Sequence, residues 1–234
     1  MKTDHLFCGT KRDTQKKWGM LLIAKKKTQP SFFPCRKEWS ANTFNRKKIY
    51  LSCAMIDAYL SFVKTYPLIS SAIQVAILGM LGELVAIRIR TKKWYFFGPG
   101  PGRILAKIVV WAFLGITFKY AFVGFFGFVD ALIEKGMWFT QADSGLFQAV
   151  SVSAFANIIF GPVMVLFHRL CDNIIEKKPM DWNSLAKAWT TLLWFWIPAH
   201  TITFSLPSHL QVGLAAAWAF ILGIILGYFA REKK

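Results

Sequence analysis

WFWIPAHTITFSLPSHLQVGLAAAW, from Trp194 to Trp218, joins two apolar runs through Pro198, Pro207 and a string of hydroxyl groups. A soluble core rarely needs this mixture, whereas a hairpin that turns at a membrane surface does. Trp194, Trp196 and Phe204 supply aromatic bulk, and Thr201, Thr203, Ser205, Ser208 and His209 put hydrogen-bonding groups where the chain must turn. The stretch predicts a helix over Leu185 to Phe204 kinked by Pro198, a polar turn at Ser205 to His209, and a last helix over Leu210 to Phe229. In that last helix Gly223 and Gly227 form GxxxG, a contact face within the bundle or between two copies of the chain.

Composition widens the same conclusion. With 55% hydrophobic residues, 16% aromatics and a mean hydropathy of +0.39, the 234 residues read as one membrane domain rather than a soluble one. The net charge of +17 is mostly local. Residues 1–50 hold thirteen Lys and Arg against Asp4, Asp13 and Glu38, so this tail contributes +10 of it. A polybasic segment beside spanning helices is explained by attraction to anionic lipid head groups more simply than by nucleic acid. Residues 1–55 are expected to be a basic, flexible tail, followed by a helical membrane domain over 56–234.

The domain reads as an all-α, polytopic transmembrane helix bundle of four to five spanning helices. Ile56 to Val63 is an amphipathic lead-in. Leu68 to Ile87 has the roughly 20 apolar residues that cross a hydrocarbon core. Its one charge is Glu83, beside Gly79 and Gly82, which let a neighbouring backbone approach. WYFFGPGPG then forces a connection. Ile104 to Val129 spans with tilt and carries Lys107, near enough to its end to snorkel, and Lys119, deep enough to need a partner. Glu83 is the expected partner of Lys119.

Asp130 to Ser144 reads as a polar linker, and Gly145 to Phe167 as a third span with Asn157 available for bonding between helices. His168, Arg169, Asp172 and Glu176 are expected to return the chain to water. Orientation is divided. The loops Arg88–Arg103 and His168–Lys178 and the C-terminus are jointly basic, while the N-terminal lysines argue the other way; one segment that fails to cross would remove the conflict.

Chemistry-bearing motifs are scarce. Cys8, Cys35, Cys53 and Cys171 have neither CxxC spacing nor histidines at metal-ligand intervals. HExxH and GxSxG do not occur, and GPGPG lacks the spacing of a phosphate loop. The reading is a protein that is not an enzyme, with no cofactor and no metal.

Tyr59, Pro67 and Gly82-Glu83, together with Trp196-Ile197-Pro198, Thr203-Phe204, Pro207 and Trp218, resemble the Mpv-seventeen and twenty-two-kilodalton peroxisomal membrane protein family over Ile56 to Phe229. That family has Gly-Asp where Gly82-Glu83 stands, Trp-Pro without the intervening Ile197, and Asn where Thr203 stands. The resemblance implies a small helical protein of a mitochondrial inner or peroxisomal membrane, with channel activity for small solutes. Glu83, Lys119, Asn157, His200, Thr201 and Thr203 are then the candidate pore or intramembrane polar network. The alternative is a structural or assembly protein in which the same groups pair between helices.

Overall fold

The computed structural model describes residues 43–92, 100–139 and 145–231, so the basic run of the first 42 residues, most of the WYFFGPGPG connection, and Lys233 and Lys234 lie outside the described residues. The chain divides into two units, Met1–Cys53 and Ala54–Lys234. Of the first, the described part is the start of helix α1 (Thr43–Thr65), which reaches well into the stretch expected to be a tail. The second is a helix bundle.

Its elements are the end of α1, then α2 (Pro67–Thr91), α3 (Pro101–Glu134), α4 (Gly145–Phe155), a π-turn (Ala156–Phe160), α5 (Gly161–Glu176), α6 (Trp182–Thr191), a second π-turn (Leu192–Trp196), α7 (Ile197–Phe204) and α8 (Ser208–Arg231). No strand occurs among the described residues. Proline starts both α2 and α3, where its missing N–H costs nothing and its φ suits a helix. Lys92 and Lys177 end α2 and α5 in the left-handed region, at φ 59° and 55°. Asp181 caps α6 by accepting from the Ser184 amide at 3.1 Å.

Four stretches are long and apolar enough to cross a membrane: Pro67–Ile89, Pro101–Glu134, Gly145–Glu176 and Ser208–Ile225. The outward surface agrees. Ile69, Ile73, Ile77 and Leu81 form an exposed apolar stripe along α2, and Leu105, Val109, Phe113 and Tyr120 do the same on α3. Water would penalise such stripes, and hydrocarbon does not. The protein is a multi-pass integral membrane protein.

Two boundaries differ from the expected ones. Asp130 does not open a linker, because α3 continues to Glu134 and the Asp130 carboxylate accepts from Gln148 Nε2 at 2.6 Å, tying α3 to α4. Likewise, the third helical path does not release the chain to water at His168 but runs on to Glu176. A polar residue ends a helix only when it offers the backbone a better partner, and here these side chains find partners on neighbouring helices.

Successive segments alternate in direction. Gly115 and Trp111 of α3 meet Ser71 and Gly79 of α2, Phe118 meets Phe160, and Gly161 meets Leu192, each pair running antiparallel. α8 returns beside α2, with Gly82 against Phe220 and Gly223. The basic connections around Arg88–Arg103 and Lys177–Lys187 therefore share one end of the bundle with Arg231. Trp182 through Phe204 is a fifth helical pass, which carries Lys187, Thr190, Thr191 and His200 and is not among the four stretches long and apolar enough to cross a membrane.

Each π-turn ends two residues before a proline, Pro162 or Pro198. Proline cannot donate to the carbonyl one turn back, and its ring crowds it; widening the preceding turn relieves both. The kink expected at Pro198 is in this way a π-turn inside a continuous helical path.

Candidate functional site in the bundle interior

At the end away from the basic connections the helices close on a packed core. Phe122, Val129, Val152, Phe204 and Val212 are buried there, and the Phe204 ring stands edge-on to Phe122 and Phe126 at centroid distances of 4.8 and 5.6 Å. Toward the basic end the bundle divides. α2 packs extensively on α8, α5 packs on α6, and the two pairs touch each other sparsely. Between them lies a cleft of about 420 Å³, walled by residues of all five helical passes, among them Gly79, Trp111, Met164, Leu192 and Ala219. Its lining is chiefly apolar, and apart from Arg169 and Thr191 its polar groups belong to two sets.

The first set is ionic. Lys107, 8% exposed, places its ammonium 2.7 Å from Glu83 Oε2, 2.8 Å from Glu176 Oε1 and 3.7 Å from Asp172 Oδ1. Trp111 donates its indole N–H to the other Glu83 oxygen at 2.7 Å. Gly79 makes this possible, since a Cβ there would collide with the Trp111 ring. The indole in turn lies 4.4 Å from the His168 ring, whose buried Nε2 has no hydrogen-bond partner among the described residues. Glu83, His168 and Asp172 bring one potential metal-ligand atom each within 4.8 Å of one another. The Lys107 ammonium already stands between Glu83 and Asp172 and supplies one positive charge within the cluster.

The second set is neutral. Asn157 Nδ2 donates to the Ser153 carbonyl at 2.8 Å, which fixes which end of the amide carries hydrogens. The same nitrogen is 3.1 Å from His200 Nδ1, so that ring nitrogen must accept, and the hydrogen of the imidazole sits on Nε2. His200 thus reaches the cleft as a donor held in one tautomer, packed on Trp196 at 5.0 Å and on Phe122 at 5.7 Å.

No family model, curated protein or solved structure matches this chain.

The candidate network accordingly separates. Glu83, Asn157 and His200 line the cleft. Lys119 does not meet Glu83: its ammonium donates to the Ser208 carbonyl at 3.3 Å, at the far end of the bundle. The antiparallel register of α2 and α3 sets Lys107, not Lys119, opposite Glu83. Thr201 and Thr203 turn back on their own helix, donating to the Ile197 and Ala199 carbonyls. Gly79, Gly82 and Gly223 lie at helix contacts, with Gly223 against the Gly82 carbonyl, while the packing of Gly227 lies outside the described residues. Of the hairpin residues, Trp196 lines the cleft, Phe204 is core, Pro207 accepts from the Leu210 amide, and Trp218 lies against Phe195. Pro198 stands two residues after the second π-turn, in the first turn of α7.

Reading the sequence missed Lys107, His168, Asp172 and Glu176 as one group. The available signal was spacing: His168, Asp172 and Glu176 recur every four residues along one face, as do Gly79 with Glu83 and Lys107 with Trp111.

Proposed function

We propose that this membrane protein is a small-solute channel or pore-like protein, with the cleft as its chamber and the Phe122–Phe126–Phe204 ring cluster as its barrier. The observation that carries this reading is a cleft walled by every helical pass and stopped at one end by packed rings. The two π-turns support gating. They face each other across the Gly161–Leu192 contact, and weakened helix ladders are where a bundle bends at least cost.

The basic end faces the cytoplasm or an organelle matrix, following the distribution of Lys and Arg. The resemblance to the Mpv-seventeen family adds a mitochondrial inner or peroxisomal membrane, which organelle fractionation tests. The basic N-terminal segment meets anionic lipid head groups, and the role is not catalytic.

Phe204→Val, which keeps a branched apolar side chain in the barrier, is expected to raise the flux of small solutes from proteoliposomes several-fold. A variant that melts like the parent and shows the parent's flux removes the ring cluster as a barrier. The second reading, a structural or assembly protein, is favoured by the Lys107 network and the Gly82–Gly223 seam, which both join helices. It gains the field if purified protein conducts nothing, with or without Phe204→Val, and Lys107 variants lose only folding or oligomer.

A further inference from the structure

Arg169 is the polar feature of the cleft that nothing above explains. It lines the cleft on α5, one residue after His168, and makes no hydrogen bond or ion pair with a described residue. A guanidinium carries five donors and stays charged at any accessible pH. Within a membrane span, such a group calls for an anionic partner. The acids of the neighbouring cluster are engaged with Lys107: Glu83 with Lys107 and Trp111, Glu176 with Lys107 and Lys178, and Asp172 at 3.7 Å from the same ammonium. A cation would find Glu83, the carboxylate that lines the cleft, already ion-paired, while an anion would find Arg169 without a partner among the described residues.

The rest of the cleft specifies the body attached to that anion. Its volume of about 420 Å³ lies within the range of small-molecule pockets, and its walls are apolar and aromatic, with Phe118, Phe160 and Trp196 on one side and Ala215 and Ala219 of α8 on the other. Arg169 stands seven residues, roughly 10 Å, from the end of α5 at the basic end of the bundle. A ligand whose head rested there would extend its body inward, toward His200 and the ring cluster.

We infer that the cleft binds a single-chain amphipathic anion, its alkyl chain between α2/α8 and α5/α6 and its anionic head on Arg169. The inference rests on reading the cleft as a solute chamber, not on conduction. A fatty carboxylate and a lysophospholipid phosphate share this chemistry, and so does the phosphate of a bulk bilayer lipid reached by Arg169 from outside.

Equilibrium binding of radiolabelled oleate, lysophosphatidate and uncharged oleyl alcohol to the full chain in nanodiscs of neutral phosphatidylcholine separates these sources. The expected result is saturable binding of an anionic probe, about tenfold weaker in Arg169→Gln, with oleyl alcohol unaffected by that change. Whichever of oleate and lysophosphatidate binds more tightly names the head group. Arg169→Lys keeps the charge without the fork and is expected to fall between parent and Arg169→Gln. It also serves as the test variant should Arg169→Gln fail to fold. Ala219→Trp fills the cleft from α8 and is expected to abolish binding of all three probes.

Parent-like anion binding in folded Arg169→Gln, or in Arg169→Lys together with Ala219→Trp, overturns the inference. So does an Ala219→Trp protein that still binds oleate, since the anion would then sit on the outer surface. Binding is read without flux: conduction with no saturable anion binding refutes this inference alone, and binding with no conduction refutes the channel alone.

Discussion

Replacing Lys107 by methionine is expected to lower the stability of the detergent-solubilised bundle by about 3 kcal/mol, measured by reversible denaturant unfolding. Removing one partner of a buried ion pair costs roughly 3–5 kcal/mol because the other charge is stranded. The lower figure applies since Glu176 keeps 30% of its side chain exposed and can be rehydrated. Lys119→Met is the matched control. It loses one long bond to the Ser208 carbonyl, and a change within about 1 kcal/mol is expected. Adding Glu83→Gln to Lys107→Met should recover part of the loss, because one stranded charge disappears with its partner. Equal losses from Lys107→Met and Lys119→Met would contradict the pairing of Lys107 with Glu83 and Glu176.

The larger packing effect is expected at Gly115. Its missing side chain lets α3 lie directly on the α2 backbone, and a Cβ there would strike the Ser71 carbonyl and come within 3.0 Å of Ala72 Cα. Both obstacles are main chain, so no side chain can swing aside, and the helices must separate. Ser70 and Ser71 are themselves small and folded back, their hydroxyls donating to the Pro67 carbonyl, which completes a seam of small residues. Gly115→Val is expected to cost about 3 kcal/mol or more, the upper end of overpacking penalties. Gly124→Ala, on the same helix with nothing within 4 Å of the added carbon, is expected to be neutral or to gain up to about 1 kcal/mol of helix propensity. Thermal unfolding of the two variants side by side separates a contact glycine from an idle one. If Gly115→Val melted with the parent, the close α2–α3 crossing would be refuted.

Gly115 and Gly124 also show where sequence reading ends. Both sit in the same apolar run and look alike in it, yet one touches a backbone and the other touches nothing. The lysines teach the same lesson. Depth along the helix singled out Lys119 as the charge in need of a partner, but partnership follows from the register between helices, which is set by where α2 stops and α3 begins and by the seating of Trp111 over Gly79. His168, Asp172 and Glu176 looked like an exit to water because polarity was judged along the chain, whereas their shared face turns toward Lys107.

What the sequence determined by itself is the kind of molecule. Runs of about twenty apolar residues, prolines at their starts and charges between them dictate membrane helices, because unpaired backbone groups are not tolerated in hydrocarbon. Asn157 and His200 could also be recognised locally as polar groups needing partners. Only the tertiary structure decided which charges meet, that the bundle closes on rings at one end and parts into a cleft at the other, and that Arg169 faces that cleft with no partner among the described residues. The reason is physical: hydropathy is summed along one helix, but ion pairs, close crossings and cavities depend on the register between helices, which distant contacts set together.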